Sequence, residues 1–348
     1  MNKRDQLLAQ AAQRVLIFDG AFGTQIQDRR LSEADFAGDL GLAADQKGNN
    51  DILALTRPDV IADVTRAYLA AGSDMVSTNT FSANRISQAD YAAEGLVREI
   101  NLASARIARE LADEFAASDG RPRFVAGAIG PTNKTLSLSP DVEDPGYREI
   151  DFDYLTAVYR DQAEALVEGG ADFILVETIF DTLNAKSAIM AVRQLAEALG
   201  RDVPLMLSMT LTDLSGRNLS GHTVEAFWNA VRHANPVTIG LNCSFGAEQL
   251  RPHIQHLSSV ADTLLLAYPN AGLPNELGEY DEAPHTTAGL VGEWADHGRV
   301  NIIGGCCGST PEHIAAMAAR VAGLTPRAIP TREPKIRLAG LEPFTIAA

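Results

Sequence analysis

The sequence predicts an α/β protein and, within that class, a TIM-type (β/α)8 barrel. Short apolar runs alternate with amphipathic helical stretches, which is the pattern of a parallel sheet covered by helices. We count eight such runs, and eight strands close this kind of barrel. An open doubly wound sheet is the alternative, but the loop DGAFGTQIQ after the first run lacks the GxGxxG fingerprint common in that fold.

The eight predicted strands are rich in β-branched and aliphatic residues, and most end in small or polar ones. They are VLIFDG (15–20), DMVSTNTF (74–81), FVAGAIGP (124–131), FILVETIF (173–180), PLMLSMTL (204–211), VTIGLNCS (237–244), LLLAYPNA (264–271) and NIIGGCC (301–307).

Apolar residues recur at helical spacing between these runs, most clearly over residues 60–72, 154–170, 223–234 and 310–323. The first two stretches end in glycine, a residue suited to a helix C-terminus. The last two open with threonine and carry glutamate two positions on, which suits a helix start.

We expect two parts in the chain of 348 residues: a barrel over 1–323 and a proline-rich tail or linker over 324–348. Four basic residues cluster in the second part: Arg327, Arg332, Lys335 and Arg337. The segment is therefore either a solvated tail or a docking arm for an acidic partner.

The net charge of −16 argues against nucleic acid and anionic membrane surfaces as main partners. No run of about 18 apolar residues predicts a transmembrane helix, and the N-terminus does not resemble a signal peptide. Three cysteines cannot all pair in disulfides, so we expect reduced thiols in the cytoplasm.

The three cysteines lie at predicted strand ends, Cys243 in GLNCSFG and the adjacent Cys306 and Cys307 in GGCCGS. The carboxyl ends of barrel strands share one face, so the three sulfur atoms can converge there. Three thiolates suit zinc and leave a fourth coordination position open for a reactant. Spacing alone also allows inert packing cysteines, a vicinal disulfide or a redox pair.

Two carboxylates, Asp19 and Glu177, also end predicted strands. They are either structural groups that cap loop amides or a pair of anions that recognise an ammonium group. The backbone N–H groups of the loop GAFGT could bind a carboxylate. Together these groups would hold an amino-acid zwitterion.

Seven motifs resemble the homocysteine-binding module of cobalamin-dependent methionine synthase, within the zinc-dependent homocysteine S-methyltransferase family. They are DGAFGTQIQ, STNTF, GPTN, ETIFDTLNAK, GLNCSFG, YPNAGLPN and GGCCGSTPEHI, in order along nearly the whole chain. The stretches SPDVEDPGYREI and LSGHTVEAFW are similar to the methionine-synthase branch in particular.

The resemblance implies a (β/α)8 barrel in which Cys243, Cys306 and Cys307 hold zinc, and homocysteine binds the zinc as a thiolate. It implies that Asp19 and Glu177 hold the amino group of homocysteine. The residues that it implies around the homocysteine carboxylate are Gly20, Phe22, Gly23 and Thr24. It also implies that Asn270 lies near the metal in the resting state, without making it a ligand.

Full methionine synthases continue past LxGLEP into folate and cobalamin modules, for which this sequence has no counterpart. We therefore expect methylcobalamin on a separate corrinoid protein, with a separate methyltetrahydrofolate-binding protein, as in a split methionine synthase. A fragment cut from a longer enzyme is also open. The alternatives are a stand-alone enzyme that uses betaine or S-methylmethionine, although no aromatic cage is evident, and a non-catalytic homocysteine- or zinc-binding protein.

Overall fold

The computed structural model describes residues 2–346, in which eight parallel strands form one sheet. The strands are β1 (Leu16–Ile17), β2 (Met75–Ser77), β3 (Phe124–Ile129), β4 (Phe173–Ile179), β5 (Leu205–Met209), β6 (Thr238–Gly246), β7 (Leu264–Asn270) and β8 (Ile302–Ile303). Every predicted strand is present, although most are shorter than the apolar runs that predicted them, β1, β2 and β8 most of all.

The sheet closes on itself. Its order is β1-β8-β7-β6-β5-β4-β3-β2, and a parallel bridge between Phe18 and Met75 joins the two outer strands. Each strand therefore has a neighbour on both sides, and no long edge remains exposed. The prediction of a TIM-type (β/α)8 barrel is confirmed.

Helices surround the barrel. They are α1 (Lys3–Ala11), α2 (Phe22–Gln27), α3 (Glu33–Ala37), α4 (Leu53–Thr56), α5 (Pro58–Ala70), α6 (Arg85–Gln88), α7 (Val97–Asp119), α8 (Phe152–Glu168), α9 (Thr182–Leu199), α10 (Val224–Val231), α11 (Ala247–Val260), α12 (Pro284–Asp296) and α13 (Pro311–Val321). None of the helices within residues 2–346 is long and apolar enough to cross a membrane.

The predicted helix ends follow local chemistry. The Thr223 side chain accepts a hydrogen bond from the Ala226 N–H at the start of α10, and Thr310 forms a reciprocal cap with His313 at the start of α13. Gly72 and Gly170 take positive φ angles just after α5 and α8. A side chain is strained in that conformation, so glycine ends these helices at low cost.

The barrel interior is filled by one face of the strands, including Phe18, Phe124, Phe173 and Tyr268. Leu7 of α1 is fully buried in the same cluster. Helix α1 therefore plugs the amino-terminal end of the barrel, and the opposite end is left for a cavity.

Residues 324–346 lie along the outside of the barrel. Arg327 is buried and donates hydrogen bonds to the carbonyl groups of Ser258, Ala261 and Thr263. A hairpin of two antiparallel strands, β9 (Arg337–Ala339) and β10 (Pro343–Thr345), follows beside α10. The division of the chain at residue 323 stays a prediction, and residues 347–348 lie outside the described residues.

The closure between β1 and β2 depends on a buried carboxylate. Asp74, directly before β2, accepts two hydrogen bonds of 2.7 Å from Arg14 and one of 2.9 Å from Arg121. It also accepts one of 2.9 Å from the backbone N–H of Ile17 in β1. Since these two strands share only one backbone bridge, this ion pair network holds the barrel closed.

We predict that Asp74→Ala lowers the free energy of unfolding by about 2 kcal/mol, because it removes the buried acceptor that Arg14, Arg121 and the Ile17 N–H share. Urea unfolding followed by circular dichroism measures the change. Asp113→Ala is the matched control, since its exposed ion pair with Arg109 should contribute less than about 1 kcal/mol. Equal losses in the two variants would contradict this role for Asp74.

Candidate metal and substrate site

A cavity of about 340 Å³ lies at the carboxyl ends of the barrel strands. Its walls come from the ends of β1, β2, β4 and β6, from the loop after β8, and from residues 20–24 and 48–51. This is the face on which barrels of this kind carry their active sites.

The adjacent cysteines lie in a tight turn after β8. The Cys306 N–H donates to the Pro269 carbonyl at 2.8 Å, and the Cys307 carbonyl accepts from the Ala271 N–H at 2.9 Å. The turn continues through Gly308, which has a φ of +78°. The backbone therefore leaves the strand geometry that would point neighbouring side chains to opposite faces, and both thiols line the cavity.

The third cysteine joins them from β6 through a local irregularity. Cys243 and Ser244 have positive φ angles of 60° and 59°, where the register with β7 shifts between Asn242 and Gly246. The Sγ atoms of Cys243 and Cys307 are 3.9 Å apart, and all three Sγ atoms lie within 4.8 Å of one another. All three cysteines are free thiols.

This spacing fits a metal ion that prefers sulfur. Zinc–sulfur bonds of about 2.3 Å in a tetrahedron place two sulfur atoms about 3.8 Å apart, close to the observed separation. The donor set of this chain is therefore compatible with three thiolate ligands. Asn270 is not among the residues that line the cavity, although it follows Pro269, whose carbonyl accepts from the Cys306 N–H. Its buried Oδ1 atom has no hydrogen-bond partner among residues 2–346.

The thiols strongly influence one another. The hydrogen bonds to Cys243 and Cys307, together with burial, raise the pKa of Cys306 well above that of a free thiol. Hydrogen bonds from Cys243 and Cys306 lower the pKa of Cys307 to about 3. One thiolate is therefore favoured at neutral pH, and binding of a divalent cation would release protons from the others.

Asp19 follows β1 and is 1% exposed. Its Oδ2 atom accepts hydrogen bonds from the backbone N–H of Ser77 at 2.7 Å and from the Ser77 hydroxyl at 2.9 Å. Burial nevertheless raises the pKa of Asp19 to about 7, since two hydrogen bonds do not replace its lost hydration.

Glu177 lies on β4 and lines the same cavity. Burial, followed by the charge of Asp19, raises the pKa of Glu177 to about 8, and the Tyr268 hydroxyl donates to its Oε2 atom at 3.4 Å. No lysine, arginine or histidine occurs among the described residues that line the cavity. A cationic group of a ligand would therefore supply the missing positive charge.

The predicted carboxylate-binding loop forms another wall. Gly20, Phe22, Gly23 and Thr24 all line the cavity, and α2 begins at Phe22. The first N–H groups of a helix have no acceptor within the helix. The Thr24 hydroxyl is buried and has no partner in the described structure. The loop can thus donate several hydrogen bonds to a ligand.

A buried amide holds the Glu177 region in place. Thr178, the next residue, has a φ of +54°, which is strained for a β-branched side chain. The Thr178 backbone N–H donates to Asn242 Oδ1 at 3.1 Å, and Asn242 Nδ2 donates to the Thr178 hydroxyl at 2.8 Å. Asn242, which precedes Cys243, therefore links the carboxylate wall to the thiol wall.

The structure adds a carboxylate that sequence reasoning missed. Asp51 lines the cavity and is 6% exposed, and burial raises its pKa to about 7. Its segment, KGNNDIL, is neither a predicted strand end nor a recognisable motif. Only the fold brings residues 48–51 over the strand ends.

We predict that the carboxyls of Asp19, Glu177 and Asp51 make the ligand-free protein less stable as the pH rises. The pKa values of Asp19, Glu177 and Asp51 are about 7, 8 and 7 in the folded protein and about 4 in the unfolded chain. The folded state therefore binds more protons than the unfolded state between about pH 4 and about pH 8. The free energy of unfolding should fall by at least about 1 kcal/mol from about pH 5 to about pH 7.

Urea unfolding at several pH values measures this slope. The triple variant Asp19→Asn/Glu177→Gln/Asp51→Asn is the control and should show a flatter profile, because the replaced groups no longer titrate. A slope that is the same in the variant and in the wild type would assign the effect to other groups.

Comparison with solved structures shows the same architecture in an enzyme of Escherichia coli. The oxidised form of the homocysteine methyltransferase MmuM is 24% identical, with a TM-score of 0.71, over 92% of this chain and 100% of that chain. The metallated form is 25% identical, with a TM-score of 0.70 and the same coverage.

The comparison with protein families is more specific. The homocysteine S-methyltransferase model matches residues 16–321, from β1 to the end of α13. The matched region includes the three cysteines and every carboxylate of the cavity. The chain therefore belongs to the homocysteine S-methyltransferase family.

Proposed function

We propose that this chain methylates homocysteine to methionine and that the methyl group comes from methylcobalamin on a separate protein. The observation that carries the proposal is one cavity that combines a cluster of three cysteines with two carboxylates, buried Asp19 and half-buried Glu177. A site for a thiol amino acid needs both groups that bind its sulfur and groups that bind its ammonium group. The family match supplies homocysteine as that amino acid.

Cys243, Cys306 and Cys307 would hold zinc, in line with the metallated form of the E. coli relative. Zinc held by thiolates would bind the homocysteine sulfur as a thiolate at neutral pH, where a free thiol is mostly protonated. The turn after β8 and the irregular end of β6 hold the three thiols in the positions from which they would bind the metal.

The carboxylates and the loop after β1 would orient the amino acid. Asp19 and Glu177 would accept hydrogen bonds from the homocysteine ammonium group, whose charge in turn lowers their raised pKa values. The N–H groups of Phe22, Gly23 and Thr24 and the free Thr24 hydroxyl would donate to the carboxylate. Both ends of the substrate are then fixed, so the sulfur meets the methyl group in one orientation.

The transfer itself needs no base at the sulfur. The sulfur lone pair forms the new bond to the methyl carbon. The electron pair of the broken bond between the methyl group and its donor stays with the donor. The protein contributes orientation and exclusion of water. The sequence similarity to methionine synthase favours methylcobalamin as the donor, with corrinoid and methyltetrahydrofolate-binding proteins as partners.

We predict that Cys306→Ala loses zinc and activity together. Two remaining thiolates would bind the metal far more weakly, so zinc should fall from about one to below about 0.2 per chain, with at least a hundredfold loss of methionine formation. Metal analysis and a methionine assay measure both. Leu277→Ala, at an exposed position in the loop after β7, should retain zinc and activity. Stoichiometric zinc in Cys306→Ala would remove this residue from the ligand set.

We also predict that the zinc-loaded chain forms methionine from homocysteine and methylcobalamin. Parallel assays with betaine and S-methylmethionine should give none, and Cys306→Ala with methylcobalamin corrects for the uncatalysed reaction. Turnover with betaine or S-methylmethionine alone would identify a self-sufficient enzyme. Homocysteine binding without turnover from any donor would indicate a binding protein instead.

A further inference from the structure

The loop between β7 and α12 folds back over the turn that carries Cys306 and Cys307. Asn275 shapes this loop: its Oδ1 atom accepts hydrogen bonds from the N–H groups of Leu277 at 2.9 Å and Glu279 at 3.0 Å. The Asn275 N–H in turn donates to the Glu279 carbonyl at 2.8 Å. Residues 273–279 are exposed, whereas the next residue, Tyr280, is half-buried. The tip of the loop therefore faces solvent, and Tyr280 turns inward.

The chain is also held on the other side of Tyr280. The Glu282 carbonyl accepts a hydrogen bond of 2.8 Å from His313 Nε2 of α13. The Glu282 side chain accepts one of 2.5 Å from the Thr287 hydroxyl of α12. Tyr280 thus lies between two anchored points of the loop, which fixes the direction of its ring.

Tyr280 packs directly against the cysteine turn. A Cβ atom at Gly308 would lie 2.1 Å from the Tyr280 Cβ atom and 2.5 Å from its Cγ atom, so only glycine at position 308 leaves space for the ring. The Tyr280 hydroxyl accepts a hydrogen bond of 3.5 Å from Asn270 Nδ2. It also donates to Cys307, and this contact adds to those from the other two cysteines in lowering the pKa of Cys307.

The phenol of Tyr280 faces the negative charge of the whole cysteine cluster. Burial, followed by the charges of Cys307, Cys243 and Cys306, raises the pKa of Tyr280, so the hydroxyl keeps its proton and remains a donor. Tyr280 is not one of the residues that line the cavity, so it does not contact a ligand bound there. Any effect of Tyr280 on such a ligand must pass through Cys307.

A hydrogen bond to a metal-bound thiolate changes what the metal site can accept. Three thiolates already outweigh the charge of a divalent cation, and homocysteine would bring a fourth. A donor aimed at one thiolate draws negative charge away from the centre, which favours binding of the next thiolate. Groups that contact metal ligands in this way typically change metal affinity or activity by about 10- to 100-fold.

We propose that Tyr280 is a positioning residue for homocysteine binding: its hydroxyl holds the Cys307 thiolate and stabilises the charge that the homocysteine thiolate adds. This role rests on the proposed function, since it requires a metal ion at the three cysteines and homocysteine beside it. It also goes further, because Tyr280 follows the YPNAGLPN motif (268–275) and lies outside every motif that resembles the family.

The variant Tyr280→Phe tests this role, because it removes the hydroxyl and keeps the ring over Gly308. The protein is loaded with cobalt(II) in place of zinc, since the sulfur-to-cobalt charge-transfer absorption reports on the thiolates themselves. In Tyr280→Phe this band should move to longer wavelength, because a thiolate that has lost a hydrogen-bond donor gives up its electrons more easily. Titration with homocysteine, followed by the same absorption, should give a Kd about tenfold higher than that of the wild type.

Tyr154→Phe is the matched control, because it removes the hydroxyl of an exposed tyrosine on α8. It should leave both the band and the Kd for homocysteine unchanged. Competition with a chelator gives a further readout, in which Tyr280→Phe should bind zinc about tenfold more weakly than the wild type. An unchanged band or an unchanged Kd in Tyr280→Phe, or equal changes in the two variants, would overturn the role of Tyr280.

The role of Tyr280 and the proposed function fail in distinguishable ways. A wild-type chain that takes up no metal or binds no homocysteine would contradict both. If the wild type binds metal and homocysteine and Tyr280→Phe behaves identically, only the role of Tyr280 is wrong. Failure of methylcobalamin as the donor would leave these measurements unaffected, because none of them contains a methyl donor.

Discussion

The hydrogen bond from the Gly305 N–H to the Asp19 carbonyl, 3.0 Å long, sets the arrangement of the whole cavity. It joins the first and last strands of the barrel one residue before Cys306. The backbones meet so closely here that a Cβ atom at Gly304 would lie 2.8 Å from the Asp19 carbonyl oxygen. The carboxylate end and the thiol end of the site are therefore held together by one seam, and a side chain at Gly304 would separate them.

The cavity is also determined by negative charge that no basic side chain among its described lining residues balances. Three carboxyls and three thiols face one cavity in which the described lining residues include no basic side chain. Keeping such groups buried costs stability, which the ligand-free protein partly avoids by raising the pKa values of the carboxyls. A cationic ligand and a metal ion bound in the cavity would relieve this cost, so the stability lost by burying these groups would strengthen binding.

Much of the fold and of the candidate site could be predicted from the sequence. Alternating apolar runs predict eight strands, and parallel strands in a barrel must end on one face, which brings Asp19, Glu177 and the three cysteines together.

The strand lengths could not be predicted, because β1 and β8 are limited to two residues by the turns that carry Asp19 and Cys306. Asp51 was missed because it lies on a turn rather than at a strand end. The burial of Arg327 was missed too, because a basic residue in a proline-rich segment has no local pattern that indicates four carbonyl-directed hydrogen bonds.

Helix α1 closes the barrel at its amino-terminal end, with Leu7 and Ala11 packed against the interior side chains. The cavity therefore lies at the other end of the barrel, where the strands end. Under the proposed function, homocysteine would bind against the strand ends, beneath the methyl donor. Binding would then be ordered: homocysteine would enter before the donor, and methionine would leave after the donor has left.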